Sequence, residues 1–386
     1  MPAARTRLTV ALLLAAVLAG ALYLVSTAGL QALEGTGPTD PPRTSGSVPA
    51  FVYDAPETVR TTEDYGPVGP VAVVYAGGEV REGLLGRMEN PWVAVSATNG
   101  DYRALSAPHR PAARPGAVRV SPDGLTLAWS FADGVVLYDP LTDTAREVTE
   151  GLGADPLVGD LSPDGSLLLV HDSALRIVEV ESGRVVGTAA GVSRGTARRT
   201  TWTRDGESLT YVDDGTLVTH RWADDTRTRV PTSLRPDATL AWSPAGDRLA
   251  AMEEERGVRE VAVYDVGRHG ALRHTSTIDP DGYAQQDLLG FVTEDSVAVS
   301  ALTLETATLP LVFEMSTTGD VPPAELMQLQ GSEQTVGTME VATDAVTQGS
   351  SPFAEPRWPV SSMAKLVGSV IVAVFLLGLY VTRRPR

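Results

Sequence analysis

A chain of 386 residues with 43% apolar and 20% charged residues has ordinary globular composition, enough for about two domains and incompatible with disorder throughout. It contains no cysteine, which excludes disulfides, thiolate metal sites, a catalytic thiol and a lipidated N-terminal cysteine. The formal net charge is -17, but Arg5, Arg7, Lys365, Arg383, Arg384 and Arg386 sit at the ends; the rest carries 25 basic against 48 acidic residues, a balance that argues against nucleic-acid binding and adsorption to anionic lipid.

In chain order, residues 1–30 contain the first apolar segment. Leu8 to Val25 is an uncharged run of eighteen residues behind Arg5 and Arg7, long enough for a bilayer span and read as an uncleaved signal anchor. A cleaved signal peptide is the alternative, since Ser26 and Ala28 suit the small-residue positions before a cleavage site. Residues 31–69 form a Pro-rich linker, with seven prolines between residues 32 and 70.

Residues 70–345 are predicted to be all-β, because one turn recurs through them. Ser-Pro-Asp-Gly at 121–124 returns as SPDG at 162–165, TRDG at 203–206, SPAG at 243–246 and, degenerately, TEDS at 293–296. The steps of 41, 41, 40 and 50 residues are the period of four-stranded propeller blades. Proline presets the second turn position, aspartate bonds its own backbone, and glycine accepts a left-handed conformation, so each phrase is a tight reversal.

Strands flank each reversal. LTLAW (125–129) alternates, SLLLV (166–170) is apolar throughout as in a sheet buried on both faces, and segments such as DGVVLYDPLTDTAREV (133–148) supply two further strands around a second turn. The segment 90–106 fits the same phase, with Asn99 and Gly100 at its third turn, and implies a degenerate first blade from about 70 to 107. The expected fold is a propeller of six blades, beginning near residues 71, 117, 157, 198, 238 and 286, with seven as the alternative. TVGTMEVATDAV (335–346), together with AFVY (50–53), either closes the ring or completes a seventh blade. Each recurring turn is expected to join the first and second strands of its blade.

Beyond a second linker at 346–361, residues 362–382 form the second predicted transmembrane helix, with its apolar run at Met363 to Thr382 and Trp358 and Tyr380 at interfacial positions. The basic tail at 383–386 completes a stop-transfer cluster. Basic residues at both ends place the tails in the cytoplasm and the acidic middle outside it.

The recurring phrase resembles the bacterial WD40-like repeat of TolB-type propellers, in which SPDG precedes a strand and an aromatic-aspartate pair precedes the last turn. Tyr138 with Asp139 and Tyr264 with Asp265 match that pair. The resemblance spans about residues 70–330 and implies the fold alone. No Trp-Asp dipeptide and no recurring Gly-His pair occurs, so the structural tetrad of eukaryotic WD40 repeats is not implied.

Chemical constellations are sparse. GVSRG (191–195) matches a nucleophile elbow around Ser193, but TARRTTW follows it in place of a helix, so an interblade loop is the better reading. His109, His171, His220, His269 and His274 show no metal-ligand spacing, and His171 beside Asp172 reads as a strand-terminal turn. The acidic groups at Asp213–Asp214, Asp224–Asp225 and Glu253–Glu255 read as solvated loops, and GTARRT, with Arg198 and Arg199, is the compact basic motif facing outward. No catalytic, cofactor-binding or metal residue is assigned, and no cofactor is expected.

The expected function is a non-catalytic binding or scaffold module, held outside a bacterial cell membrane by its spans, for an envelope protein or polymer. The alternative is a hydrolase or lyase whose site converges on the propeller's central face from several blades. A central cavity gathering ionisable groups in perturbed environments, as against one lined by backbone and small residues, is the feature that bears on the enzyme alternative.

Overall fold

The computed structural model describes residues 46–353 except 54–58, 77–79, 83–85, 89–90, 108–116, 194–195, 197–198, 256–257, 268–269, 279–282, 304–310, 319–320 and 331–338. Both apolar segments, Leu8 to Val25 and Met363 to Thr382, and the basic tail lie outside the described residues, as do His109, Arg198 and His269. Among the described residues no helix is long and apolar enough to cross a membrane.

The described chain builds six blades. Blade two comprises Val118–Val120, Leu127–Phe131, Gly134–Asp139 and Thr144–Val148, antiparallel neighbours in sequence order. Blade three runs over Leu157–Leu161, Leu167–His171, Leu175–Glu179 and Arg184–Ala189, and blade four over Thr201–Trp202, Ser208–Asp213, Thr216–Arg221 and Thr226–Pro231. Blade five comprises Thr239–Trp242, Arg248–Glu255, Val258–Val266 and Leu272–Ile278. Blade six comprises Tyr283–Thr293, Ser296–Thr303, Leu311–Ser316 and Ala324–Gln330.

Every recurring turn joins the first and second strands of its blade, and one hydrogen-bond arrangement explains its residue types. The buried Ser121 hydroxyl donates to Asp123 Oδ1 at 2.6 Å and accepts from the Thr126 N–H at 2.9 Å, while Asp123 Oδ1 also accepts from the Leu125 N–H at 3.0 Å. Ser162 with Asp164 and Thr203 with Asp205 repeat it, each at 2.6 Å. In the SPAG turn, where alanine replaces the aspartate, Ser243 turns to Asp247 at 3.2 Å. The glycine that closes each of these four turns has a positive φ: 71° at Gly124, 69° at Gly165, 70° at Gly206 and 74° at Gly246.

Blade cores arise because a central strand buries both faces. Leu168 and Val170 pack toward blade two, whereas Leu169 packs toward blade four. Apolar clusters of this kind lie between each pair of neighbours around the ring, and the last, between blades six and one, joins Val52, Tyr75 and Val341 to Val312 and Met327.

Blade one closes the ring. Its innermost strand, Met339–Val341, comes from the far end of the propeller and pairs antiparallel with Val71–Ala76, followed outward by Trp92–Ser96, Tyr102–Ala104 and the parallel strand Arg60–Thr61. Phe51–Tyr53 lies parallel on the outer edge of blade six. Met339–Val341, within the 335–346 segment, therefore closes the ring, and the described residues form no seventh blade.

Two boundaries need correction. The stretch 31–69, read as linker, contains Val48, Val52 and Val59, all buried at the seam, and the helix Thr62–Tyr65. Likewise Ser350–Ser351, within the second expected linker, pairs parallel with Val48–Pro49 beyond the short helix Thr343–Thr347. Proline content misled there: paired proline is tolerated at the edge of a sheet, and the valines among the prolines still bury themselves.

Candidate functional site

The innermost strands enclose a central channel with a cavity of about 830 Å³, reaching from Leu157 and Thr239 near the strand starts to Pro122, Pro163 and Pro244 in the turns. One register position supplies much of its lining. In blades two to five the residue two before the recurring Ser or Thr is Arg119, Asp160, Thr201 and Ala241 in turn. Blades six and one add Asp287 and Glu340. The neighbours of Arg119 and Asp160, Val118 and Leu161, point into the blade cores, so strand alternation sends the polar side chain to the lumen.

Charge in the lumen is unevenly paired. Arg119 Nη1 meets Glu340 Oε1 at 2.9 Å, which ties blade two to blade one and holds the guanidinium firmly protonated. Asp160 accepts the Thr201 hydroxyl at 3.2 Å. Neither Asp160 nor Asp287 forms an ion pair with a described residue. Both carboxylates are open to the lumen yet walled by protein, and this desolvation raises them above the ordinary carboxylate range despite the pull of Arg119 on both and of Arg199 and Arg259 on Asp287. Glu340 shifts the same way: enclosure comes first, and one arginine shared among three carboxylates does not offset it.

The two rims differ. At the strand-start rim Arg199 donates to Thr239 Oγ1 at 2.7 Å, and Glu254 pairs with Arg259 at 3.3 Å. At the turn rim burial raises Asp344, with Arg204 opposing and Asp123 reinforcing the shift. Arg199, expected to face outward, thus borders the channel because its loop delivers it to the start of blade four's inner strand.

Elsewhere the sequence-predicted residues hold loops. Ser193 bonds Thr196 Oγ1 at 2.7 Å between blades three and four. Asp172 is a turn anchor. Burial opposes its ionisation, but N–H groups of Ala174, Gly153 and Ser173, with Arg176 Nε at 3.3 Å, outweigh that and hold it down at about 2. His220, its ring fully buried, meets Asp225 at 2.7 Å; burial lowers its pKa and Asp225 opposes. His274 meets Thr277 at 3.0 Å. Asp224 accepts from the Thr226 N–H, Glu253 from the Arg235 N–H, and Asp213 lies 3.9 Å from Arg229. Tyr138 of the aromatic-aspartate pair donates to Asp143 at 2.6 Å, and Asp139 accepts from the Leu141 N–H at 2.7 Å. Among the described residues no three His, Asp or Glu side chains are grouped to hold a metal ion.

Arg119, Asp160, Asp287 and Glu340 were not singled out by sequence. A signal existed for two of them: Arg119, Asp160 and Thr201 stand 41 residues apart, in fixed phase with the turn. Bulges in blade six and the distant origin of blade one's inner strand hide the other two.

No family model matches the chain, and no curated protein matches it. Solved structures similar in fold include TolB from Acinetobacter baumannii, at 17% identity over 73% of this chain and 69% of that one, with a TM-score of 0.46. The β-propeller domain of Cps50 (Swd1) from Myceliophteria thermophila is 14% identical over 71% of this chain and 90% of its own, also at 0.46. Hydrazine synthase from Kuenenia stuttgartiensis is 18% identical over 57% and 69%, at 0.41.

Proposed function

We propose that the chain is a non-catalytic binding or scaffold module, tethered outside a bacterial cell membrane, that holds an envelope protein or polymer at its propeller. The observation that carries this reading is the seam. Because Val48–Pro49 pairs with Ser350–Ser351, the chain enters and leaves the ring at one place, from which linkers lead to two apolar segments flanked by basic residues. Two spans starting at one point fit one membrane, and a ring closed by non-local strands gives a rigid platform in front of it.

The lumen also supports a second reading, an enzyme, because carboxylates raised by enclosure are what a general acid needs. Binding stands ahead on one ground. Acid-base pairs work when their environments push the two pKa values apart, whereas Asp160, Asp287 and Glu340 all move upward together.

Protease added to intact spheroplasts should digest the propeller and spare the tails; a protected propeller with cleaved tails would reverse the topology. Cross-linking the full-length chain in its envelope should enrich one component over a chain bearing the two spans without the propeller. Equal recovery from both would overturn the binding role.

A further inference from the structure

The lumen carries more negative charge than the ring neutralises. Arg119 is committed to Glu340 and Arg259 to Glu254, leaving Asp160 with a threonine hydroxyl and Asp287 within electrostatic reach of Arg199 and Arg259 but without an ion-pair partner among the described residues. Inside walls of low polarizability such charge is poorly screened and its field is focused along the channel. Aspartates used for architecture in this protein look different: Asp123, Asp164, Asp172 and Asp205 give their oxygens to backbone N–H groups of their own turns. Asp160 and Asp287 close no turn, and they face a cavity of about 830 Å³, a size suited to an organic ligand. No grouping of three carboxylates or histidines close enough for a metal ion occurs among the described residues.

Resting on the binding reading above, we infer that the channel is a site for an organic cation, an alkylammonium or guanidinium group carried into the lumen on a narrow chain, with Asp160 and Asp287 as its counter-ions. The Arg119–Glu340 pair, in blades two and one, lies between the two aspartates around the ring and neutralises itself. A basic peptide segment and a free polyamine present the same group. Binding holds the carboxylates ionised, so it releases protons, and affinity falls as pH drops through their raised range.

The test uses the purified full-length chain, a fluorescein-labelled amidated tri-lysine peptide read by anisotropy, and spermidine as competitor. Wild type should bind the peptide. D160N/D287N should bind about tenfold or more weakly, and E150Q, which removes a charge from the outer surface, should bind as wild type. Should the double variant fail to fold, A241R places a cation of the protein's own in the lumen and should abolish binding with the carboxylates intact. Competition by spermidine assigns the site to any chain-borne ammonium, and its failure assigns the site to a peptide segment. Absence of peptide binding by wild type, undiminished binding by D160N/D287N or A241R, or equal weakening by E150Q overturns the inference. If D160N/D287N still enriches the same envelope component, the module reading survives without the cation site.

Discussion

Blades two to four and the seam between blades six and one are the same architecture reached by opposite routes. In blades two to four each sheet comes from one contiguous stretch, and a Ser-Asp or Thr-Asp pair fixes each first turn locally. At the seam, Met339–Val341, Val71–Ala76 and Arg60–Thr61 share one sheet, and Phe51–Tyr53 completes its neighbour. No local signal sets that pairing. It stands on burial, through Val48, Val52, Val59, Ala342 and Val346 in one cluster. Local chemistry writes the repeat, and long-range packing, which must first offset the entropy of closing a long loop, closes it.

The sharpest way to break this comparison is Val346→Asp, which buries a charge in the seam at a site 2% exposed. It should remove about 3 kcal/mol or more in denaturant unfolding. Early proteolysis should then appear near residues 46–61, with blades two to four still protected. Uniform protection throughout the ring would show that the seam is not the weak closure.

Glycine substitution comes next, because the same turn residue meets different surroundings. A Cβ at Gly124 would lie 2.2 Å from Val71 O, in blade one, whereas one at Gly246 meets nothing within 4 Å. Gly246→Ala should cost about 1–2 kcal/mol from its left-handed backbone alone, and Gly124→Ala distinctly more. Equal thermal shifts would deny the close approach of blade two to blade one.

Within the repeat the turn aspartates should behave alike. Replacing Asp123, Asp164 or Asp205 by alanine should cost about 0.5–2 kcal/mol each, with asparagine near wild type, since its Oδ1 can accept the hydroxyl and N–H bonds common to all three; Asp164 also accepts the Ser166 hydroxyl. One position departing from the other two in thermal melts would mark a charge-dependent site.

The smallest effect is a pH response that separates lumen from turns. Carboxylates raised in the folded state are costly while ionised, and that penalty disappears as pH falls through their raised range. Asp164 and Asp172 are lowered, so their contribution is full above the ordinary carboxylate range and is lost only as pH falls through their depressed values. Thermal stability should therefore rise slightly as pH falls through the raised range of these carboxylates, less what His220, lowered by burial, gives back as pH falls through the ordinary histidine range, and fall below the ordinary carboxylate range. D160N/D287N should reduce the rise, to which Glu340 and Asp344 still contribute, and leave the fall.

Fold was legible wherever its cause was local. The period gave the blades, and Asp123, Asp164 and Asp205 sit in the turns that their neighbours implied. The seam was half legible: residues 335–346 and 50–53 stood out as unspent strands, but pairing over such distances leaves no periodic mark. The site was harder. Strand alternation alone would have placed Arg119 and Asp160 beside the lumen, but that Arg119 shares the channel with three carboxylates depends on Asp287 and Glu340 arriving from irregular strands.

The most direct measurement is an NMR titration of the carboxyl carbons of Asp160, Asp287 and Glu340 in the full-length chain, without and with the amidated tri-lysine peptide. All three should titrate above the ordinary carboxylate range, and Asp160 and Asp287 should fall when the peptide is present. Ordinary values unmoved by the peptide would contradict the account of the lumen as an under-neutralised cation site.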